Sequence, residues 1–133
     1  MRTYRGRITK LEDNQVFVFG ANTQFRHGKG AALQAVKFGA IYGKGGFVGK
    51  TWSIVTKDLT KRNHPSISKQ HIIDQISKLY KFSRDNPDKE FLVAYSGTGV
   101  NLNGYSNQQM ADMFSSEDIP DNIVFEEEFS KLL

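Results

Sequence analysis

The chain has 133 residues, 38% of them hydrophobic, a length and composition that suit one compact domain spanning residues 1–133 with a single core. It contains no cysteine, which excludes disulfides, thiolate metal sites and a cysteine nucleophile. The formal net charge of +4 raises the expectation of an anionic partner, either nucleic acid or a phosphorylated small molecule. The basic residues are scattered, however, with Lys57, Lys61 and Arg62 the one local concentration after the first strands, so nucleic acid ranks last. The opening residues Met1 to Gly6 hold no apolar run, and nowhere does the sequence approach the roughly 18 apolar residues that span a bilayer. A cytoplasmic protein with no membrane partner is expected, and the sequence carries no signal of oligomeric state.

Thr3 to Ile8 has the composition of an opening strand, and Glu12-Asp13-Asn14 is a turn signal before Gln15 to Phe19. That second run is apolar and β-branched or aromatic at nearly every position, which predicts a strand buried on both faces. Gly20 to Lys29 then reads as a loop, and Gly30 to Phe38 as a short helix of small and apolar residues stopped by Gly39. Gly43 to Gly49 is too rich in glycine for regular structure, and Thr51 to Thr56 reads as a strand. Ser68 can cap a helix running to Asn86, with Ile72, Ile73, Ile76, Leu79 and Tyr80 on one face and Pro87 ending it. Glu90 to Tyr95 predicts a second buried strand. Ser106 and Gln109 match a capping box for a helix starting near Asn107, and a strand at Ile123 to Phe125 with a tail helix from Glu126 closes the chain. Strands alternating with helices predict an α/β fold of three layers, α/β/α, around a mixed, mostly parallel central sheet.

In such sheets ligands sit outside the carboxyl ends of the strands. Two glycine-rich loops are placed there: Gly20 to Ala32 after the strand ending at Phe19, and Ser96 to Tyr105 after the strand ending at Tyr95. Gly28 and Gly30 permit close approach of backbone N–H groups to an anion at the positive end of the following helix. A lone G-x-G equally closes a tight βα turn, but two such loops at strand ends predict a grip on a pyrophosphate from both sides. Gly49-Lys50-Thr51 imitates the end of a P-loop, yet the required earlier glycine falls at Lys44 and a strand follows where a helix is needed. The dinucleotide fingerprint fails as well, because its third glycine falls at Leu33.

These motifs resemble the macro domain, a fold known for binding ADP-ribose. Gly6-Arg7-Ile8-Thr9 is similar to its early G-D-I-T element, and Phe19-Gly20-Ala21-Asn22 stands where that family has a strand-ending Asn. Gly28 to Ala32 resembles its glycine-rich segment before the first main helix. Ser96 to Tyr105 resembles its S-T-G-V-x-G-Y phosphate loop, with about two additional residues before Gly104. The H-G-x-G-A-A segment and the downstream Thr56-Lys57-Asp58 are most similar to small macro-like proteins of phages and bacteria; by that resemblance the compartment is the host cytoplasm if the chain is phage-encoded. The resemblance implies that Gly20, Ala21, Asn22, Gly28, Lys29, Gly30 and Ala31 bind ligand from the first loop. From the second it implies Ser96, Gly97, Thr98, Gly99, Val100, Asn101 and Tyr105. Arg7 departs from the pattern: the family's acid at that position accepts a hydrogen bond from adenine, and a guanidinium only donates.

Three residues are candidates for chemistry. By the resemblance, Asn22 positions the distal ribose or an attacking water; an Asx-type bond bracing its loop is the alternative. His27 has an imidazole suited to general acid–base work beside a phosphate or to binding it, and Asp58 is a carboxylate expected near the same crevice, with Lys57 beside it. His64 and His71 have no ligand spacing, and neither a metal nor a cofactor is expected. The function that follows is binding of ADP-ribose or a related phosphorylated nucleotide, with hydrolysis of an ADP-ribosyl or phosphate linkage as its enzymatic extension. A non-catalytic nucleotide sensor or sequestering module is the alternative.

Overall fold

The computed structural model describes residues 2–28, 30–95 and 103–133. In chain order the elements are β1 (Thr3–Tyr4), β2 (Gln15–Asn22), α1 (Gly30–Lys37), β3 (Phe47–Val48), β4 (Thr51–Lys57), α2 (Lys69–Asp85), β5 (Glu90–Val93), α3 (Asn107–Phe114), β6 (Ile123–Glu126) and α4 (Glu127–Ser130). The strands form one six-stranded sheet in the order β1-β6-β5-β2-β4-β3. Every neighbouring pair is parallel except β3 with β4, which is antiparallel.

Alternation along the central strands sorts the core into two layers, because successive side chains leave a strand on opposite faces. Val16, Val18, Phe91, Val93, Ile123 and Phe125 face one way and pack with Ile72, Ile76, Leu79 and Tyr80 of α2, Met110, Met113 and Phe114 of α3, and Phe129 of α4. Phe17, Phe19, Ala21, Leu92 and Val124 face the other way, against Ala35 of α1 and Ile8. The near-continuous apolar runs of β2, β5 and β6 thus belong to strands covered on both sides. Tyr80 is fully buried, and its hydroxyl donates to the Phe114 carbonyl at 2.5 Å, tying α2 to the end of α3. Burial raises the Tyr80 phenol well above its ordinary value of 10.0, so it remains a donor.

The caps form as their sequences predict. The Ser68 side chain accepts from the N–H of His71, and Ser106 with Gln109 forms a reciprocal capping box at the start of α3. Several boundaries move. The opening strand is only Thr3–Tyr4, since it pairs with β6 at Phe125 and Glu126 and the chain then turns at Gly6. β2 runs on through Asn22 because β4 pairs with it as far as Lys57. The glycine-rich segment contains β3, which doubles back on Thr51 and Trp52, and β5 stops at Val93.

A two-residue β3 leaves most of the outer edge of β4 uncovered. Gln75 of α2 fills part of that gap: its Oε1 accepts from the Val55 N–H at 2.7 Å and its Nε2 donates to the Val55 carbonyl at 2.8 Å. The side-chain amide pairs with the edge as a neighbouring strand would, and α2 is fixed in register against the sheet.

Candidate functional site

The parallel strands all point their carboxyl ends the same way, and those ends open into a cavity of about 1020 Å³. Asn22 closes β2, Lys57 closes β4, Ala94 and Tyr95 follow β5, Glu126 closes β6, and Gly6 to Ile8 follow β1; all of them line it. Its inner wall is apolar, with Phe19, Ile54, Val93, Met110 and Phe129 among the lining side chains. Tyr4 also lines it, donating its hydroxyl to the Val93 carbonyl at 2.5 Å. Burial first, and then the nearby Glu126 carboxylate, holds the Tyr4 phenol far above its ordinary 10.0.

The first loop leaves the sheet through a register shift between Ala21 and Asn22, an irregularity of the kind that re-aims a strand end. Gly20, Ala21, Asn22, Arg26, Gly28, Gly30 and Ala31 all line the cavity. Asn22 braces the loop: its Oδ1 accepts from the N–H groups of Gln24 (3.1 Å) and Arg26 (3.0 Å), and its Nδ2 donates to the Arg26 carbonyl at 2.7 Å. Gly30 begins α1 at φ 55, and a Cβ built on it would meet nothing within 4 Å. The start of α1 is therefore sterically open. Lys29 lies outside the described residues.

His27 departs from the expectation that it faces a bound phosphate. It is fully buried, does not line the cavity, and packs between the rings of Phe19 and Tyr42 at centroid distances of 5.5 and 5.4 Å. Its Nε2 donates to the Ile41 carbonyl at 3.2 Å, while Nδ1 has no hydrogen-bond partner among the described residues. Tyr42 in turn donates to the His27 carbonyl at 3.2 Å, and the Gly43 N–H donates to the Phe25 carbonyl at 3.1 Å. The imidazole is thus part of a clamp that holds the loop onto residues 41–43. Two aromatic neighbours and a carbonyl placed away from it in sequence draw it inward, and no local spacing signals them.

Asp58 does not line the cavity, although Lys57 and Leu59 on either side of it do. Its Oδ1 accepts from the N–H and hydroxyl of Thr60 at 2.9 and 2.7 Å and from the Thr23 hydroxyl at 3.4 Å. The hydrogen bonds from Thr60 hold its carboxyl below the ordinary 3.8. His27 and Asp58 are consequently not brought together on the cavity wall.

In the second loop Ser96, Gly97, Thr98, Gly99, Val100 and Asn101 lie outside the described residues. The chain beyond them is held firmly. A Cβ on Gly104 would lie 2.6 Å from backbone atoms of His64 and Pro65, and Gly104 has φ 89. Tyr105 does not form a wall of the cavity: it is buried and its hydroxyl donates to the Ile67 carbonyl at 2.5 Å. The polar lining on this side comes from Asn103 and Asn107, and Arg26, Thr56, Glu126 and Glu128 also line the cavity without a sequence signal of their own. Of these, Arg26 alone stands inside the glycine loop, where a cation is a signal of anion binding.

The cavity lining carries both signs of charge, Arg7, Arg26 and Lys57 against Glu126 and Glu128, and the carboxylates are engaged elsewhere: Glu126 caps α4 and Glu128 pairs with Lys131. Ion pairs among the described residues join Arg2 to Glu90, Arg5 to Glu127, Arg84 to Glu117 and Lys131 to Glu128. Arg7, Arg26 and Lys57, the cations of the cavity lining, take part in none of them. No group of three or more His, Asp or Glu side chains stands together as a metal site among the described residues.

The chain matches no protein-family model, and no curated protein matches it significantly in sequence. Its fold is macro-like. The macrodomain of Thermus aquaticus DarG aligns with 95% of this chain and 97% of its own length, at a TM-score of 0.55 and 17% identity. A coronavirus structure comprising three main domains of nonstructural protein 3 aligns with 98% of this chain and 34% of its own, at a TM-score of 0.54 and 15% identity. Among the described residues no helix is long and apolar enough to cross a membrane.

Proposed function

We propose that this protein binds a pyrophosphate-containing nucleotide of the ADP-ribose type in the cavity at the strand ends. One observation carries the reading: the open first turn of α1 borders the same cavity as three cations that form no ion pair among the described residues. Backbone N–H groups of Gly28, Gly30 and Ala31 at the helix N-terminus supply donors for a phosphate, and Arg7, Arg26 and Lys57 supply charge. The apolar inner wall suits a base or ribose face. The likeness to macrodomains supports the same ligand class.

Binding without turnover is the version that the side chains favour. Asn22 is a neutral amide whose oxygen already accepts two hydrogen bonds, so it positions rather than exchanges a proton. The imidazole of His27 is occupied in packing, and Oδ1 of Asp58 is engaged by Thr60 and Thr23. The test is a thermal-shift panel of ADP-ribose, NAD, ADP and AMP, followed by incubation with an ADP-ribosylated peptide. ADP-ribose at 100 times its dissociation constant is expected to add about 2.7 kcal/mol of stability. No stabilisation by any pyrophosphate nucleotide would overturn the binding reading. Release of ADP-ribose from the peptide would overturn the non-catalytic one, and loss of that release in Asp58→Ala would then assign the acid or base.

A further inference from the structure

We propose that the cleft between Arg7 and Lys37 is a phosphate subsite joined to the nucleotide cavity, so that the preferred ligand carries a ribose phosphate monoester besides its pyrophosphate. The proposal deepens the nucleotide-binding reading and rests on it. The cleft has a volume of about 580 Å³ and is lined by Arg7, Thr9, Gly30, Leu33, Gln34 and Lys37. Arg7, Gly30 and Gln34 also line the main cavity, so the two spaces are continuous.

Its walls are braced. Gln34 of α1 donates to the Ile8 carbonyl, and Lys37 Nζ donates to the Thr9 carbonyl at 2.9 Å. These bonds strap the chain after β1 onto α1 and hold the ammonium beside the cleft. An ammonium has three N–H donors, so this contact leaves Lys37 others to offer. Arg7 brings five donors and takes part in no ion pair among the described residues. Among the described residues no carboxylate lines the cleft.

Arg7 and Lys37 line one concave space that holds no carboxylate among the described residues, and a phosphate monoester supplies the counter-charge with about −1.5 to −2 at pH 7. Its oxygens also match a guanidinium on one side and an ammonium on the other. A monoester attached to the nucleotide suits a pocket opening into the main cavity better than a polynucleotide backbone does, since a backbone needs cations spread along an outer surface.

The experiment is isothermal titration of ADP-ribose and of its 2′- and 3′-phosphates into the parent protein, Lys37→Gln, Lys37→Arg and Arg7→Gln. The parent is expected to bind one phosphorylated form about tenfold to hundredfold more tightly than ADP-ribose, the range of a charge-assisted contact. Lys37→Gln should lose most of that preference while binding ADP-ribose as the parent does, Lys37→Arg should recover it, and Arg7→Gln should also lose it. Equal affinities for ADP-ribose and both phosphates in the parent would overturn the subsite while leaving the nucleotide reading intact. Binding of none of the three would overturn the nucleotide reading itself. Competition by an unrelated DNA duplex, with affinity falling steeply in salt and weakened in Lys37→Gln while the phosphate preference is unchanged there, would assign the cleft to a nucleic-acid backbone and overturn the proposal.

Discussion

His27 illustrates how a residue beside a binding loop can serve it through packing. Its Nε2–H bond to Ile41 is partly redundant, because that carbonyl also accepts from the Lys44 N–H at 3.1 Å. The partnerless Nδ1 is a buried acceptor, a feature that costs about 1–3 kcal/mol in general. His27→Phe keeps an aromatic ring between Phe19 and Tyr42 and removes that acceptor, so its stability should fall within about 1.5 kcal/mol of the parent. His27→Ala should lose about 2–4 kcal/mol, since it leaves a hole at a fully buried site. Urea denaturation checks both values. Parental ligand affinity in His27→Phe is the matching expectation, and a large loss there would return the imidazole to the ligand.

Asp58 belongs to the same scale. Its folded pKa lies below the ordinary 3.8, so its contribution to stability is present above that value and disappears as pH falls through the lower folded one. Asp58→Ala should therefore melt at a lower temperature than the parent at pH 7, and the difference should close in strong acid. Melting curves at pH 7 and below pH 3 decide this, and a difference independent of pH would mean that the carboxylate charge is immaterial to the Thr60 turn.

At the scale of elements, Gly30 and Gln75 show what residue patterning conveys and what it omits. The glycine before an Ala-rich helix is visible in the sequence, and the structure gives its backbone φ 55 with open space around it. Gly30→Val places a β-branched side chain in the left-handed region at a cost of about 1–2 kcal/mol, and it also covers the amides at the start of α1. The variant should remain folded and lose nucleotide binding, as calorimetry and circular dichroism would record. Gln75 conveys nothing in sequence, being one polar residue on a helix face. Its two bonds to Val55 depend on a sheet edge left open by a short β3. Gln75→Ala should cost about 1–2 kcal/mol in a denaturant melt, water replacing part of what is lost.

The same division separates the parts of the architecture that are legible in the sequence from those that are not. The buried strands β2, β5 and β6, the α2 stripe from Ile72 to Tyr80 and the Ser106 capping box are local patterns, and they form where their periodicity places them. The ends of β1 and β2 are set by partners distant in sequence, Phe125 and Lys57, so their limits are invisible locally. The candidate site divides likewise. The first glycine loop, which lines the cavity through Gly20, Gly28 and Gly30, follows from composition, whereas the burial of His27 and Tyr105 and the lining roles of Arg26, Asn103 and Asn107 follow from contacts between segments.

For the whole molecule, the sheet order places the ends of parallel strands around one cavity, and the ion pairs among the described residues do not include the cations of that cavity. Fold and charge distribution together favour an anionic ligand held by backbone amides, which is the central claim. Titration of ADP-ribose into ¹⁵N-labelled protein, followed through backbone amide resonances, tests it most directly. The account predicts saturable shifts concentrated in residues 20–32 and 94–105, with the amides of Gly28, Gly30 and Ala31 among the most affected. Shifts confined to surfaces away from the strand ends, or no shifts at millimolar ADP-ribose, would contradict it.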